Sequence, residues 1–247
     1  MNAYAGLLFV LVFIILLVVF TLTGKKKTIR NIREIPAFLR LRRMVGLAVE
    51  AGSRIHISIG REGLTGTKAA SALLGLTMLE RIARAASVSD RPPVVTSGDS
   101  TLTILSQDTL RAAYRSVNAE NLYDPNAGRL TGLTPFSYAA GAIPVIHDEQ
   151  ISSNFLAGSF GSEVALLTEA AEKSGSLTIA GSDDLTAQSV LYATAQEPLI
   201  GEELFAGGAY LNAGPAHIAS LRAQDIIRWA LIAIMLAGAV AKGLGLL

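Results

Sequence analysis

Glycine-rich turns are the residues of this sequence whose type and spacing could bind a ligand. Each of four such turns follows a predicted strand, pairs glycine with small polar residues, and precedes a helix-forming segment. Backbone N–H groups at helix starts bind anions, and open α/β sheets bind ligands at the carboxyl ends of their strands. The residues predicted to contact a ligand are Gly60, Gly63, Gly66, Gly98, Asp99, Ser100, Gly158 and Ser159.

Helix capping is the competing interpretation of the same turns. Ser, Thr and Asp after a tight turn cap the following helix through their side-chain oxygens. The turn at 60–68 (GREGLTGTK) also departs from a phosphate-binding loop, because its spacing differs by one residue and Lys68 follows Thr67 rather than preceding it. A structural turn and an anion-binding turn are therefore both open on the sequence.

No set of residues matches a known catalytic signature. Residues 157–161 (AGSFG) approximate the nucleophile turn of a serine hydrolase, with Asp183 and His217 in the required chain order, but His217 lies just before an apolar terminal segment. Acidic pairs such as Asp183 and Asp184 are also favoured at helix starts by the helix dipole. The chain has no Cys and three His. We therefore assign no catalytic residue and no metal ligand, and we leave the cofactor open.

Strand and helix patterns alternate through the middle of the chain. Strands are predicted at 54–59, 94–96, 154–157 and 177–180, with a fifth near 129–133. Helices are predicted between and after them, at 67–86, 101–117, 135–148, 162–173, 184–195 and 201–210. This alternation predicts an α/β fold, a parallel-sheet, Rossmann-like three-layer domain flanked by N- and C-terminal transmembrane helices. The pattern does not determine the strand order.

Apolar segments at both ends predict two transmembrane helices. Residues 4–23 carry no charge and are long enough to span a bilayer, and they lack the basic start and cleavage site of a signal peptide. Residues 226–247 contain Arg228 and Lys242 near their ends, so an interfacial or re-entrant helix is the alternative there. The predicted organisation is a transmembrane helix at 1–24, a basic amphipathic juxtamembrane segment at 25–52, a cytoplasmic α/β domain at 53–222 and a transmembrane helix at 223–247.

A basic cluster follows the first apolar segment. Because positive charge marks the cytoplasmic end of a span, we expect a multi-pass protein of the cell (inner) membrane with both termini outside and the domain in the cytoplasm. The cluster should also bind anionic lipid headgroups. Residues 44–223 hold 11 basic and 18 acidic residues, a formal charge of −7, which argues against a nucleic-acid partner. The predicted membrane-surface residues are Lys25, Lys26, Lys27, Arg30, Arg33, Arg40, Arg42 and Arg43.

Several segments resemble an uncharacterised bacterial family of membrane-anchored α/β proteins, a domain of unknown function. They span most of the predicted domain: 61–66 (REGLTG), 96–100 (TSGDS), 135–141 (PFSYAAG), 158–163 (GSFGSE), 201–207 (GEELFAG) and 220–225 (SLRAQD). The resemblance implies the membrane-anchored α/β architecture. It implies no activity, and no catalytic residue is carried over from it.

Two functions are consistent with these features. The first is a non-catalytic membrane-anchored subunit that self-associates as a homo-oligomer and scaffolds a membrane assembly with other subunits. Ala233, Ala237 and Ala241 form a small-residue stripe suited to a helix contact. The helix at 67–78, apolar on several sides, predicts either a subunit contact or burial in the core. The alternative is a small-molecule or nucleotide-binding sensor or enzyme that uses the glycine-rich loops.

Overall fold

The structure, a computed structural model, describes residues 3–23 and 33–244. Contacts divide the chain into two compact units, one formed by Met1–Arg33 with Asn212–Leu247 and the other by Glu34–Leu211. Half of the predicted basic cluster lies outside the described residues: Lys25, Lys26, Lys27 and Arg30.

Six parallel strands form one sheet in the unit Glu34–Leu211. In chain order the strands are β1 (Arg54–Gly60), β2 (Val94–Ser97), β3 (Gly128–Leu130), β4 (Ile151–Ser159), β5 (Leu177–Ser182) and β6 (Glu197–Leu199). Their order across the sheet is β3-β2-β1-β4-β5-β6. This arrangement confirms the predicted parallel α/β sheet, and the order is that of a doubly wound fold.

Helices cover both faces of this sheet. The α-helices of the described chain are α1 (Ala3–Thr23), α2 (Pro36–Glu50), α3 (Ala69–Ala86), α4 (Ser100–Ser116), α5 (Pro135–Asp148), α6 (Val164–Lys173), α7 (Leu185–Thr194), α8 (Glu203–Tyr210) and α9 (Pro215–Gly243). Helix α3 packs against α2, α4 and α8, whereas α6 packs against α5 and α7. Because parallel crossovers are right-handed, these two sets lie on opposite faces, which gives three layers.

The central strands β1 and β4 are buried along nearly their whole length. The side chains of Ile57, Ile59, Phe155 and Leu156 have at most 1% of their surface exposed. Burial on both faces is expected for central parallel strands, since helices cover each side. These strands therefore form a rigid base whose carboxyl ends position the loops that follow.

Helix α3 is buried on several sides by its own domain. Its buried residues include Ala72, Leu74, Met78 and Ile82, and the helix contacts β1 and β4 as well as three helices. Packing in the three-layer core thus accounts for its apolar surface. A subunit contact is not needed to explain this helix.

Helix α2 joins the domain through its apolar face. Phe38 stacks on Tyr210 with ring centroids 5.0 Å apart, and further buried side chains on the same face are Ala37, Leu41, Met44, Val45 and Ala48. Arg40 pairs with Glu197, and Arg42 donates to the Tyr210 carbonyl. The amphipathic pattern of this segment therefore reflects packing in the domain, and contact of its arginines with lipid stays a prediction.

The other unit contains α1 and α9, which contact each other. Among the described residues, these two helices are long and apolar enough to cross a membrane, judged by length and composition. Helix α9 begins at Pro215, upstream of the span predicted from the sequence. Ala233 and Ala237 are exposed on it and Ala241 is half-buried. The α1–α9 contact thus leaves most of the small-residue stripe uncovered.

Candidate functional site

The candidate site is the carboxyl edge of the sheet between β1 and β4. The strand order reverses there: the chain continues from β1 towards β2 and from β4 towards β5. The two following helices therefore leave the sheet on opposite faces. Doubly wound folds bind their ligands in the crevice formed at this point.

Backbone atoms of two of the predicted turns meet at this edge. Gly60 has a φ of +84°, and a Cβ added to it would lie 2.6 Å from the Ser159 carbonyl oxygen. A Cβ on Gly158 would collide with the Ile59 carbonyl. The Arg61 amide donates to the Ser159 carbonyl at 3.0 Å. Glycine is therefore required at both positions because the two turns approach through their backbones.

The turn after β2 also contacts the turn after β1 at this edge. The Gly98 amide donates to the Gly60 carbonyl at 3.0 Å, and a Cβ on Gly98 would lie 3.0 Å from Cγ of Arg61. A Cβ on Gly63 would lie 2.9 Å from Oδ2 of Asp99. The structure therefore brings together six of the eight predicted contact residues: Gly60, Gly63, Gly98, Asp99, Gly158 and Ser159.

The remaining two predicted residues are less closely involved. A Cβ on Gly66 would meet only the Lys68 amide nitrogen, at 4.0 Å, among the described atoms. Ser100 is the exposed first residue of α4. No close contact links Gly66 or Ser100 to the other turns in the described structure.

Helix capping accounts for two of the four turns. Asp99 Oδ1 accepts from the Leu102 amide at 2.9 Å and caps α4. Asp184 Oδ1 accepts from the Thr186 and Ala187 amides and caps α7; these backbone hydrogen bonds, Ala187 first, lower the pKa of Asp184. Helices α3 and α6 begin without a side-chain cap. Capping therefore does not explain the turns that precede α3 and α6, whose glycines are required by the close backbone approach of β1 and β4.

Charged residues that the sequence patterns did not single out line the same edge. The Arg61 side chain lies 3.0 Å from Glu62 and 3.8 Å from Glu163. Glu163 is 2% exposed, and its Oε1 accepts from the Gly161 amide at 2.9 Å. The only sequence signal for this pair is that each residue lies shortly after a strand, in a segment that also contains glycine.

A second charged pair connects the β1 turn to the β5 turn. Lys68 Nζ lies 3.6 Å from Asp183 and 3.5 Å from Asp184. The Ser71 hydroxyl donates to Asp183 Oδ2 at 2.7 Å. The turn at 60–68 is thus held by ionic contacts at both ends, to the β4 turn and to the β5 turn.

The serine hydrolase interpretation finds no geometric support. Ser159 lies within β4 and is 2% exposed, whereas a nucleophile must project from the tip of a strained turn. Asp183 contacts Ser71 and Lys68 rather than a histidine. Within the described residues no cluster of three His, Asp or Glu could hold a metal ion.

A buried polar network lies inside the sheet below this edge. His56 Nδ1 lies 2.6 Å from Asn154 Oδ1, and its Nε2 lies 2.9 Å from the Thr96 hydroxyl. The hydroxyl of Tyr138 bonds to that of Ser58. Burial lowers the pKa of His56 to about 4 and raises that of Tyr138 to about 12. Both side chains are therefore neutral near pH 7.

A separate open groove of about 520 Å³ runs along α4. It is bounded by Ile104, Gln107, Asp108, Arg111, Glu120, Tyr123 and Pro125. Arg111 and Arg115 both bond to Glu120, and these hydrogen bonds, that from Arg115 first, lower the pKa of Glu120 to about 2. The groove contains none of the predicted contact residues.

Together these features define a doubly wound α/β domain with a glycine-lined carboxyl edge, in a chain that also carries two long apolar helices. The chain belongs to the family described as a domain of unknown function, DUF6754, which matches residues 1–246. No curated protein and no solved structure matches the chain. The expected membership of an uncharacterised family is confirmed.

Proposed function

We propose that this chain is a membrane-tethered domain that binds a small polar ligand of nucleotide type at the carboxyl edge between β1 and β4. The observation that carries this proposal is the meeting of three glycine turns where the strand order reverses. The glycines of these turns let the three backbones approach closely and place no side chains of their own at this edge. Asp99 follows β2, as does the acidic residue that bonds a ribose hydroxyl in dinucleotide-binding folds.

A calorimetric titration of the detergent-solubilised full-length chain with ADP and with NAD tests this proposal. We expect saturable binding of at least one of them with a stoichiometry of one per chain. Bovine albumin in the same detergent provides the blank. Absence of binding by both nucleotides up to millimolar concentration would contradict a nucleotide-type ligand.

Self-association as a scaffold is a second proposed function, supported by the exposed stripe on α9. Close approach of helices in lipid uses small residues spaced by four, and Ala233 and Ala237 are exposed. Confinement of spans to one plane also raises their effective concentration. A homo-oligomer formed through this stripe could hold other membrane subunits. Burial of α3 within its own domain removes one of the reasons for this proposal, so it ranks second.

Ala237→Leu is expected to shift this oligomer towards monomer, because a larger side chain blocks close helix approach. Light scattering of the protein in mild detergent measures the change. Ala239→Leu is the matched control, since it adds the same bulk to an exposed position on a different side of α9. A wild-type monomer, or an equal effect of both substitutions, would count against the stripe.

We also propose that the domain faces the cytoplasm of a bacterial cell and that both termini face outwards. The support is the basic cluster after the first apolar segment. The chain has no native cysteine, so single cysteines report the topology. Cysteine at exposed Asn126 should react with an impermeant maleimide only after lysis, and cysteine at Asn2 should react in intact cells. The reverse labelling pattern would overturn the orientation.

A further inference from the structure

The turn at 60–68 contains two cations, Arg61 and Lys68, whose contacts with acids on the other turns are long. Within the turn itself, Arg61 Nη2 lies 3.0 Å from Oε1 of Glu62. Arg61 Nε is buried without a hydrogen bond among the described residues and lies 3.8 Å from Glu163. Lys68 Nζ lies 3.5 Å or more from its two aspartates. Ion pairs elsewhere in the domain are shorter: Arg84–Glu80 at 2.6 Å, Lys173–Glu169 at 2.6 Å and Arg129–Glu149 at 2.7 Å.

The carboxylates at the same edge are better satisfied by the protein. Asp99 and Asp184 accept amide hydrogens as helix caps. Glu163 accepts from the Gly161 amide, and Asp183 accepts from the Ser71 hydroxyl. One oxygen of each of these four carboxylates thus has a donor within 3 Å. Among the described cations at this edge, the unmet donor is Nε of Arg61.

Arg61 and Lys68 differ in whether their withdrawal would leave a buried carboxylate oxygen without a partner. Asp183 Oδ1 is buried without a hydrogen bond and lies next to Lys68, so withdrawal of Lys68 would isolate a buried acceptor. Glu163 would keep its Gly161 hydrogen bond if Arg61 turned away. Lys68 therefore serves as an anchor for the turn, whereas Arg61 can leave Glu163 and the partly exposed Glu62 without isolating a buried acceptor.

We infer that Arg61 is the contact for a phosphate-class anionic group of the ligand, with Glu163 and Glu62 as its counter-ions within the protein. This inference rests on the proposed function and names the chemistry that the site selects. A guanidinium matches phosphate oxygens with paired donors. The packing of Arg61 against Gly98 places it between the β1, β2 and β4 turns. When the anion binds, the guanidinium leaves Glu163 and bonds the phosphate oxygens.

Binding of ADP, inorganic pyrophosphate and adenosine to the full-length chain tests this assignment. We expect adenosine to bind much more weakly than ADP. Arg61→Gln should weaken ADP about 10- to 100-fold, the range for a charge-assisted hydrogen bond, and should leave adenosine unchanged. Glu163→Gln should tighten ADP by about threefold or more, because a competing carboxylate is removed. Arg84→Gln, the same charge change at the far end of α3, should change neither ligand.

Opposite changes in ADP affinity in the Arg61→Gln and Glu163→Gln variants distinguish a ligand contact from a structural role. Loss of a structural ion pair would weaken ADP binding in both variants. If Arg61→Gln does not fold, Arg61→Lys provides the second variant, and it should keep the preference for ADP over adenosine. Equal binding of adenosine and ADP would overturn the assignment of Arg61 while preserving the nucleotide site. Binding of pyrophosphate without ADP would keep the anion contact and overturn the nucleotide-type ligand. Failure of all three probes would overturn both.

Discussion

Replacing Gly60 with alanine is expected to destabilise the α/β domain by about 2–4 kcal/mol. Two costs add at this position. The φ of +84° is unfavourable for any residue with a Cβ, at about 1 kcal/mol. The new Cβ would also lie 2.6 Å from the Ser159 carbonyl oxygen and 2.7 Å from its amide nitrogen, and overpacking of this kind costs about 1–3 kcal/mol.

The control variant Gly175→Ala measures the cost of a positive φ without the cost of overpacking. Gly175 has a φ of +70°, and a Cβ added there meets no described atom within 4 Å. Chemical unfolding of the solubilised chain, followed by circular dichroism, should show a loss of about 1 kcal/mol for the control and a clearly larger loss for Gly60→Ala. Equal losses in the two variants would mean that β1 and β4 do not approach as closely as described.

Lowering the pH from 6.5 to 4 is expected to remove about 3 kcal/mol of stability through His56. Burial holds the folded-state pKa at about 4, below the value of 6.5 for an exposed histidine. Between these values the unfolded chain binds a proton that the folded chain excludes. Stability is therefore complete above pH 6.5 and decreases as the pH falls towards 4, at about 1.36 kcal/mol per unit of pKa difference.

Denaturation midpoints measured at intervals between pH 7 and 4.5 show this dependence. His56→Gln should flatten the curve between pH 6.5 and 5, where carboxylates contribute little. His147→Gln serves as the control, because that histidine is exposed and bonds to Ser174 on the surface. An unchanged slope in His56→Gln would show that His56 is not buried in its neutral form.

Local sequence patterns were sufficient to predict most elements of the fold. The predicted helix at 135–148 has the observed bounds of α5, which begins with a Thr134 cap and a proline. The fifth strand, expected near 129–133, corresponds to β3 at the sheet edge. Strand β6 was missed because it is three residues long and contains Pro198, and proline argues against a strand except at an edge. Strand order depends on pairing between strands that are distant in sequence. The local hydrophobic periodicity of each strand therefore does not predict it.

Of the candidate site, only the glycines could be predicted from the sequence. Each of them follows a strand, which is a local signal, and parallel strands bring such turns to one edge. The partnership of Arg61 with Glu163 joins residues about a hundred positions apart, and it depends on β1 lying beside β4. Long-range contacts also decide the position of α2. Its amphipathic pattern predicted an apolar face but not that the domain would cover that face.

Hydrogen–deuterium exchange of the full-length chain with and without ADP tests the central claim most directly. The account predicts slower exchange of backbone amides in 60–68, 97–100 and 158–163, the three turns that meet at the carboxyl edge. Amides in the groove along α4, at 104–111 and 120–125, should be unaffected. Protection confined to that groove, or unchanged exchange in all three turns at saturating ADP, would contradict a ligand site between β1 and β4.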